Sequence, residues 1–130
     1  MSGSEPESPR HFFGDGRIAY IQIPAPDVDT SARFYADTFG WQVRGEGGAR
    51  RSFTDATGDT IGAFVSDRVV SHEPGIVLYI YVHGLDAALE RIERNGGRRE
   101  REPYPEGDIW IATFRDPAGN LMGVWQKEPR

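Results

Sequence analysis

The chain has 130 residues, of which 38% are hydrophobic and 12% aromatic, enough for one globular domain. Its 15 basic and 20 acidic residues give a net charge of −5, which argues against a nucleic-acid-binding protein because such a protein needs a basic face. The chain has no cysteine, which excludes disulfides, thiolate zinc sites and cysteine nucleophiles and fits a cytoplasmic location.

The first half of the chain is predicted to form a β-α-β-β-β module over residues 17–66. Residues 1–16 are rich in Ser, Glu, Pro and Gly and are predicted to be a disordered N-terminal lead-in rather than a targeting peptide. The alternation of apolar residues predicts strands at 17–23, 41–43, 51–55 and 60–66, and helical spacing predicts a helix at 29–39. No run approaches the ~20 apolar residues that span a membrane.

The second half is predicted to repeat this order over residues 76–127, after a linker at 67–75 that contains a Pro-Gly step. A strand at 76–82 precedes a helix that begins near Gly84 or Asp86 and ends at Asn95-Gly96-Gly97. A weak strand at 98–102 is followed by a predicted loop at 103–108, which has two prolines. Strands at 109–115 and 121–126 flank a strong turn signal at 116–120.

The two halves repeat one another in sequence. Residues 55–64 reappear as 116–125 with a constant shift of 61 (116 − 55 = 61), and the helix starts repeat with a shift of 57 (86 − 29 = 57). Such a repeat indicates two copies of one supersecondary unit. Each copy is too small for a good core of its own, so the two are expected to share one structural domain over residues 17–127.

Four motifs carry a family resemblance over residues 17–126. They are Pro24-Ala25-Pro26-Asp27 after the first strand, the helix end Phe34-Tyr35-Ala36-Asp37-Thr38-Phe39-Gly40-Trp41, the helix end Asn95-Gly96-Gly97, and Phe114-Arg115-Asp116-Pro117-Ala118-Gly119-Asn120. With them the chain resembles the vicinal oxygen chelate superfamily, which includes glyoxalase I, extradiol dioxygenases and bleomycin-resistance proteins. The resemblance implies an α+β fold in which two β-α-β-β-β modules form a cup-shaped, half-open barrel with helices on the outside. It also implies a homodimer, and it leaves open whether the modules pair within one chain or across the dimer.

Metal-using members of that family take their ligands from the first and last strand of each copy. Carried onto this chain, these positions are Tyr20, Gly62, Val77 and Gly123. A divalent ion prefers imidazole or carboxylate ligands, and none of the four residues supplies one. His11, His72 and His83 lie in the lead-in, the linker and at a strand end. No metal or other cofactor is therefore expected.

Strand alternation then predicts what the cup contains. If Tyr20 faces inward, the inward residues that can bind a ligand are Tyr20, Gln22, Phe64, Tyr79, Tyr81 and Trp125. Either these rings hold a ligand or they fill the barrel as an ordinary core. Buried tyrosine hydroxyls and glycines at two inward positions favour a ligand-holding cavity. The facing of Trp41 and Trp110 is left open.

The favoured function is metal-independent binding or sequestration of a small, planar or partly aromatic molecule in the barrel cavity, as in the bleomycin-resistance type. The alternative is a glyoxalase-like lyase or isomerase, or a dioxygenase-type enzyme, with an unrecognised metal or with acid–base chemistry by Tyr20, Tyr79 or His83. An accessory domain with a closed cup is a third possibility. No catalytic residue is identified, and the partners expected are a small molecule and a second copy of the chain, without nucleic acid or membrane.

Overall fold

The computed structural model describes residues 14–130, so most of the predicted lead-in, including His11, lies outside the described residues. The first module contains β1 (Tyr20–Pro24), α1 (Val28–Phe39), β2 (Gln42–Arg44), β3 (Arg50–Thr54) and β4 (Ile61–Val65). The second contains β5 (Tyr79–Tyr81), α2 (Leu85–Arg94), β6 (Arg98–Glu106), β7 (Ile109–Arg115) and β8 (Leu121–Lys127). Within residues 14–130 neither helix has the length and apolar character needed to cross a membrane.

Each module forms its own four-stranded mixed sheet. Sheet 1 has the order β1-β4-β3-β2 and sheet 2 the order β5-β8-β7-β6. In each, the first and last strands of the module are parallel neighbours and the remaining pairs are antiparallel. The sheets are not closed on each other, and β1 and β5 are edge strands. The predicted α+β fold with two β-α-β-β-β modules is confirmed, and the open sheets are consistent with a half-open cup.

Two helix ends are fixed by local sequence, and the start of α2 is fixed by a distant side chain. Asp27 caps α1 by accepting a hydrogen bond from the Thr30 backbone N–H at 3.1 Å, and this bond lowers the pKa of Asp27. Gly40 ends α1 in the left-handed region (φ 75°), a conformation that glycine adopts at little cost. Gly84 begins α2 without a side-chain cap, so Gln126 of β8 accepts the Leu85 N–H at 2.7 Å instead.

The two modules share one core between the helices and the sheets. Phe34 of α1 packs against Phe114 of β7, with ring centroids 6.1 Å apart. Tyr35 of α1 is fully buried, and its hydroxyl donates to Asp116 Oδ2 at 2.8 Å, from one module to the other. Each helix therefore covers one face of its own sheet, and α1 also anchors the second module. We call the opposite face of each sheet, away from the helices, its cup face.

The predicted loop at 103–108 is wrong over residues 103–106, which belong to β6. β6 is an edge strand with register irregularities between Arg99 and Arg101 and between Arg101 and Tyr104. An edge position with bulges tolerates proline, because the missing N–H need not pair with a neighbour. The Pro103 and Pro105 signals therefore mark an irregular edge strand rather than a loop.

Candidate functional site

Strand pairing settles which predicted residues share a face of sheet 1. Partners in neighbouring strands point to the same side of a sheet. The pairs on the cup face are Tyr20–Ile61 and Gln22–Ala63, and the pairs on the helix face are Ile21–Gly62 and Ile23–Phe64. Tyr20 and Gln22 therefore lie on the cup face together, as predicted. The prediction that Gly62 and Phe64 also face the cup is wrong.

The error comes from the length of one turn. In the second module the Asp116 N–H donates to the carbonyl of Asn120, four residues on, whereas the Asp55 N–H donates to the carbonyl of Thr60, five residues on. The first turn thus has one extra residue, and the shift between modules falls from 61 to 60 after it. The structural equivalent of Gly123 is Ala63 (123 − 60 = 63) rather than Gly62. A one-residue slip moves a side chain to the other face of a strand.

Phe64 belongs to the core on the helix face. It is fully buried and stacks on Tyr35 with ring centroids 5.4 Å apart. Trp41, whose facing the sequence left open, also packs here, between Tyr35 at 4.6 Å and Phe53 at 4.7 Å. Trp110 is partly buried and packs against the core. These rings form an ordinary aromatic core and do not contribute to the cup face.

The remaining predicted residues of the second module meet on the cup face of sheet 2. Tyr79 pairs with Gly123 and Tyr81 pairs with Trp125. The Tyr81 and Trp125 rings meet edge to face at 4.9 Å, and the Tyr81 hydroxyl lies 3.2 Å from Nδ1 of His83. The Tyr79 ring lies directly over Gly123, where a Cβ would overlap it. Tyr79 and Tyr81 keep 42% and 43% of their surface exposed, so they do not fill a closed barrel in this chain.

Charged side chains that the sequence did not single out stand beside these tyrosines. Arg50 of β3 donates to the Tyr20 hydroxyl, and Gln22 Nε2 lies 3.5 Å from the same oxygen. On sheet 2 the Arg101 guanidinium lies 3.5 Å from the centroid of the Tyr104 ring. Through the pairs Arg101–Thr113 and Tyr104–Ile111 these two residues reach the cup face. Each cup face therefore presents at least one tyrosine ring and an arginine.

The environment of Tyr79 bears on acid–base chemistry. Partial burial, Tyr104 and Glu106 raise the pKa of Tyr79, while the positive charge of Arg101 opposes them. A phenol whose pKa lies above its usual value stays protonated at neutral pH and cannot act as a general base there. Tyr79 is thus suited to donate a hydrogen bond or to stack on a ligand.

The metal positions of the family do not fit a metal in this chain. With the corrected register they are Tyr20, Ala63, Val77 and Gly123, and Gly62 lies on the other face. No imidazole or carboxylate occupies any of them. Across residues 14–130 no group of three His, Cys, Asp or Glu side chains could hold a metal ion. The family's chelating chemistry therefore has no ligand set at these positions.

The sequence is similar to a known family and to several known proteins. The sequence profile of the Glyoxalase/Bleomycin resistance protein/Dioxygenase superfamily matches residues 17–124. A glyoxylase-like domain-containing protein of Didymella fabae is 37% identical over 84% of this chain and 92% of its own length. The anthracycline biosynthesis protein DnrV of Streptomyces peucetius is 29% identical over 88% of this chain, which spans only 48% of DnrV.

Two solved structures share the fold. A glyoxalase/bleomycin resistance protein/dioxygenase family enzyme from Burkholderia phytofirmans PsJN superposes with a TM-score of 0.70 at 18% identity, over 85% of this chain and 98% of the other. TnmS3, an antibiotic binding protein from Streptomyces sp. CB03234, superposes with a TM-score of 0.68 at 21% identity, over 89% of this chain and 99% of the other. At these identities the likeness concerns the fold alone.

Proposed function

Because the chain belongs to the Glyoxalase/Bleomycin resistance protein/Dioxygenase superfamily, we propose that it binds a small, planar, partly aromatic molecule on its cup faces without a metal. The observation that carries the proposal is the display of Tyr20, Tyr79 and Tyr81 on these faces with 42–48% of their surface exposed. Exposed rings held by strand pairing can stack on a flat ligand for ~0.5–1.5 kcal/mol per pair beyond area burial. A cytoplasmic location is part of the same proposal.

The polar groups on these faces suit a ligand with oxygen substituents. Arg50 and Arg101 offer guanidinium N–H groups, and Gln22 and the tyrosine hydroxyls can donate or accept. Such groups fix the orientation of a ligand whose affinity comes mainly from apolar contact. The names of DnrV, an anthracycline biosynthesis protein, and TnmS3, an antibiotic binding protein, favour a flat, oxygen-bearing natural product as the first probe.

We predict that doxorubicin, an anthracycline, binds the protein and that Tyr79→Ala or Tyr81→Ala weakens this binding by about two- to tenfold. The physical reason is the loss of one stacking ring from the cup face of sheet 2. The measurement is the anisotropy of doxorubicin emission during titration with protein. Trp110→Phe is the matched control, since Trp110 packs against the core and should leave the affinity unchanged. The absence of binding up to about 1 mM protein would contradict the proposal, as would an equal loss in the control.

We also propose that the chain forms a homodimer through its cup faces. Ile61 and Tyr20 are 38% and 48% exposed side by side on the cup face of sheet 1, and contiguous exposed apolar surface is typical of protein interfaces. Ile61→Glu is expected to shift the protein from dimer to monomer in sedimentation velocity. Val69→Glu is the control, because Val69 is 91% exposed and outside both sheets. A wild-type protein that is monomeric at every concentration would overturn this proposal.

A further inference from the structure

A cavity of about 690 Å³ lies between the two modules on the helix side of β1 and β5. We call it the joint cavity. Its apolar wall comes from both modules and includes Ile21, Ile23, Phe39, Trp41, Leu78 and Ile80. The turn 55–60 and the helix α2, through Ala87 and Arg91, also border it. Its volume is within the ~300–1,000 Å³ that small-molecule pockets occupy.

We call the side of the junction that carries Asp116 and Asn120, which do not border the joint cavity, the tight side. On the tight side Tyr35 donates to Asp116, and Asn120 Nδ2 of the same turn donates to the Pro24 carbonyl at 2.7 Å. On the other side the equivalent of Tyr35 is Ile92 (35 + 57 = 92), which is shorter and has no hydroxyl. The equivalent of Asn120 is Thr60 (120 − 60 = 60), whose side chain is also shorter. Thr60 borders the joint cavity, whereas Ile92 is fully buried and does not line it. Ile92 has no polar group that could repeat the bond from Tyr35 to Asp116.

The Asp55 carboxylate borders the joint cavity and bonds within its own turn through Oδ1. Oδ1 of Asp55 accepts hydrogen bonds from the backbone N–H groups of Gly58, Asp59 and Thr60 at 3.0–3.3 Å, and from the Thr57 hydroxyl at 2.9 Å. Its counterpart Asp116 also bonds within its own turn through Oδ1, and in addition bonds to the other module through Oδ2. The described hydrogen bonds of Asp55 therefore do not bridge the two modules.

Arg91 supplies a positive charge on the wall of the joint cavity. It stands one helical turn after Ala87, and both border the cavity. Its Nε donates to the Thr38 carbonyl at 3.1 Å, which fixes the guanidinium at the boundary of α1 and α2. Among residues 14–130 Arg91 forms no ion pair. A carboxylate is the group that a guanidinium in such a position binds best.

We propose that the joint cavity binds a monocarboxylic acid with an aromatic or branched aliphatic body, with its carboxylate at Arg91 and its body against the apolar wall. Tyr79 and Tyr81 of β5 border the joint cavity as well as the cup face of sheet 2. The proposal rests instead on Arg91 and the apolar wall, so it does not depend on the function proposed for the cup faces. A molecule bound there would contact both modules, since residues of α1, β1, β5 and α2 surround the cavity.

The test uses 2-naphthoate and its neutral analogue 2-naphthamide, with binding followed by the chemical shifts of backbone and tryptophan N–H groups. We expect naphthoate to shift the resonances of Thr57, Ala87 and the Trp41 indole. Arg91→Met should weaken naphthoate binding about tenfold or more and leave naphthamide unchanged, because only the former has a charge to pair. Arg94→Met, an exposed arginine on the same helix, is the control and should have no effect.

Further variants keep the outcome decisive if Arg91→Met affects folding. Ala87→Leu changes an exposed helical position, and the larger side chain should obstruct the cavity for both compounds. Tyr20→Ala changes only a cup face and should leave naphthoate binding unaltered. The proposal is overturned if naphthoate does not bind up to about 1 mM. It is equally overturned if Arg91→Met and Ala87→Leu leave the affinity unchanged, or if the shifts appear only at cup-face residues that do not border the cavity, such as Tyr20 and Trp125.

Discussion

Gly62→Ala is expected to lower the free energy of unfolding by about 3 kcal/mol or more, whereas Gly123→Ala costs only about 1 kcal/mol. A Cβ at Gly62 would overlap the carbonyl oxygen of Ile21 and the ring of Phe53. The first is strand backbone and the second is 1% exposed, so neither can move easily. At Gly123 the overlapping group is the Tyr79 ring, which is half exposed and can turn away.

Urea denaturation of both variants, followed by far-ultraviolet circular dichroism, measures this difference. The pair is a matched control in itself, because the two glycines occupy the same place in the repeated sequence. Gly123→Ala should additionally weaken doxorubicin binding, since it displaces Tyr79 from its position on the cup face. Equal losses of stability would show that the two glycines are structurally equivalent and that the turn-length explanation is wrong.

Asp116→Ala is expected to cost about 3 kcal/mol or more of unfolding free energy, and Tyr35→Phe about 1–3 kcal/mol. The Asp116 carboxylate accepts the Tyr35 hydroxyl, the Asn120 side chain, and the backbone N–H groups of Ala118 and Asn120. Removing it leaves several partly or fully buried donors without an acceptor. Asp55→Ala is the control at the equivalent turn and should cost less, because the Asp55 turn is more exposed. A loss of unfolding free energy in Asp55→Ala as large as that in Asp116→Ala would contradict the stabilising role of the bonds that Asp116 forms on the tight side.

The hydrogen bond between Tyr35 and Asp116 also predicts that the free energy of unfolding depends on pH. Burial raises the pKa of Asp116, while hydrogen bonds from Asn120 and Tyr35 oppose the rise. A carboxyl whose folded pKa exceeds its unfolded value favours folding below the unfolded pKa, and this contribution is lost as pH rises through the folded pKa. Tyr35→Phe removes one opposing bond, so the pKa of Asp116 rises further and more of that contribution is lost.

The stability gap between wild type and Tyr35→Phe should therefore widen between about pH 3 and pH 7. Urea denaturation at a series of pH values measures it. A gap that stays constant, or that widens toward acid, would show that the Tyr35 hydroxyl does not influence the ionisation of Asp116.

Most of the fold could be predicted because its signals are local. Gly40 and Asn95-Gly96-Gly97 end helices, and the Asp-x-x-Gly turns close hairpins through contacts within a few residues. β6 was predicted too short because the tolerance of Pro103 and Pro105 depends on the strand being at the edge of a sheet. That position is a property of the whole sheet and is not contained in the segment itself.

The facing of the candidate site residues could be predicted only on strands whose alignment between the two modules is certain. Tyr20, Gln22, Tyr79 and Tyr81 lie on strands that precede matched helices, so their faces follow from one shift. The face of Phe64 depends on one extra residue in a turn, and a glycine at position 62 has no side chain to mark the slip.

The other groups at the two sites depend on tertiary structure. Arg50 and Arg101 reach the cup faces through pairing across strands, which for Arg101 includes an irregularity in β6. The wall of the joint cavity combines residues of both modules, so the cavity exists only once the modules are packed together. No pattern within a single segment carries that information.

Binding of doxorubicin to metal-stripped protein tests the central claim most directly. The protein is treated with a chelator, desalted, and titrated, and the titration is repeated on protein incubated with Zn²⁺ or Ni²⁺ and desalted again to remove unbound ions. We predict the same affinity in both cases, with less than about a twofold difference, because Tyr20, Ala63, Val77 and Gly123 offer a metal no imidazole or carboxylate. Binding that appears only after metal loading, with one metal ion retained per chain, would contradict the account.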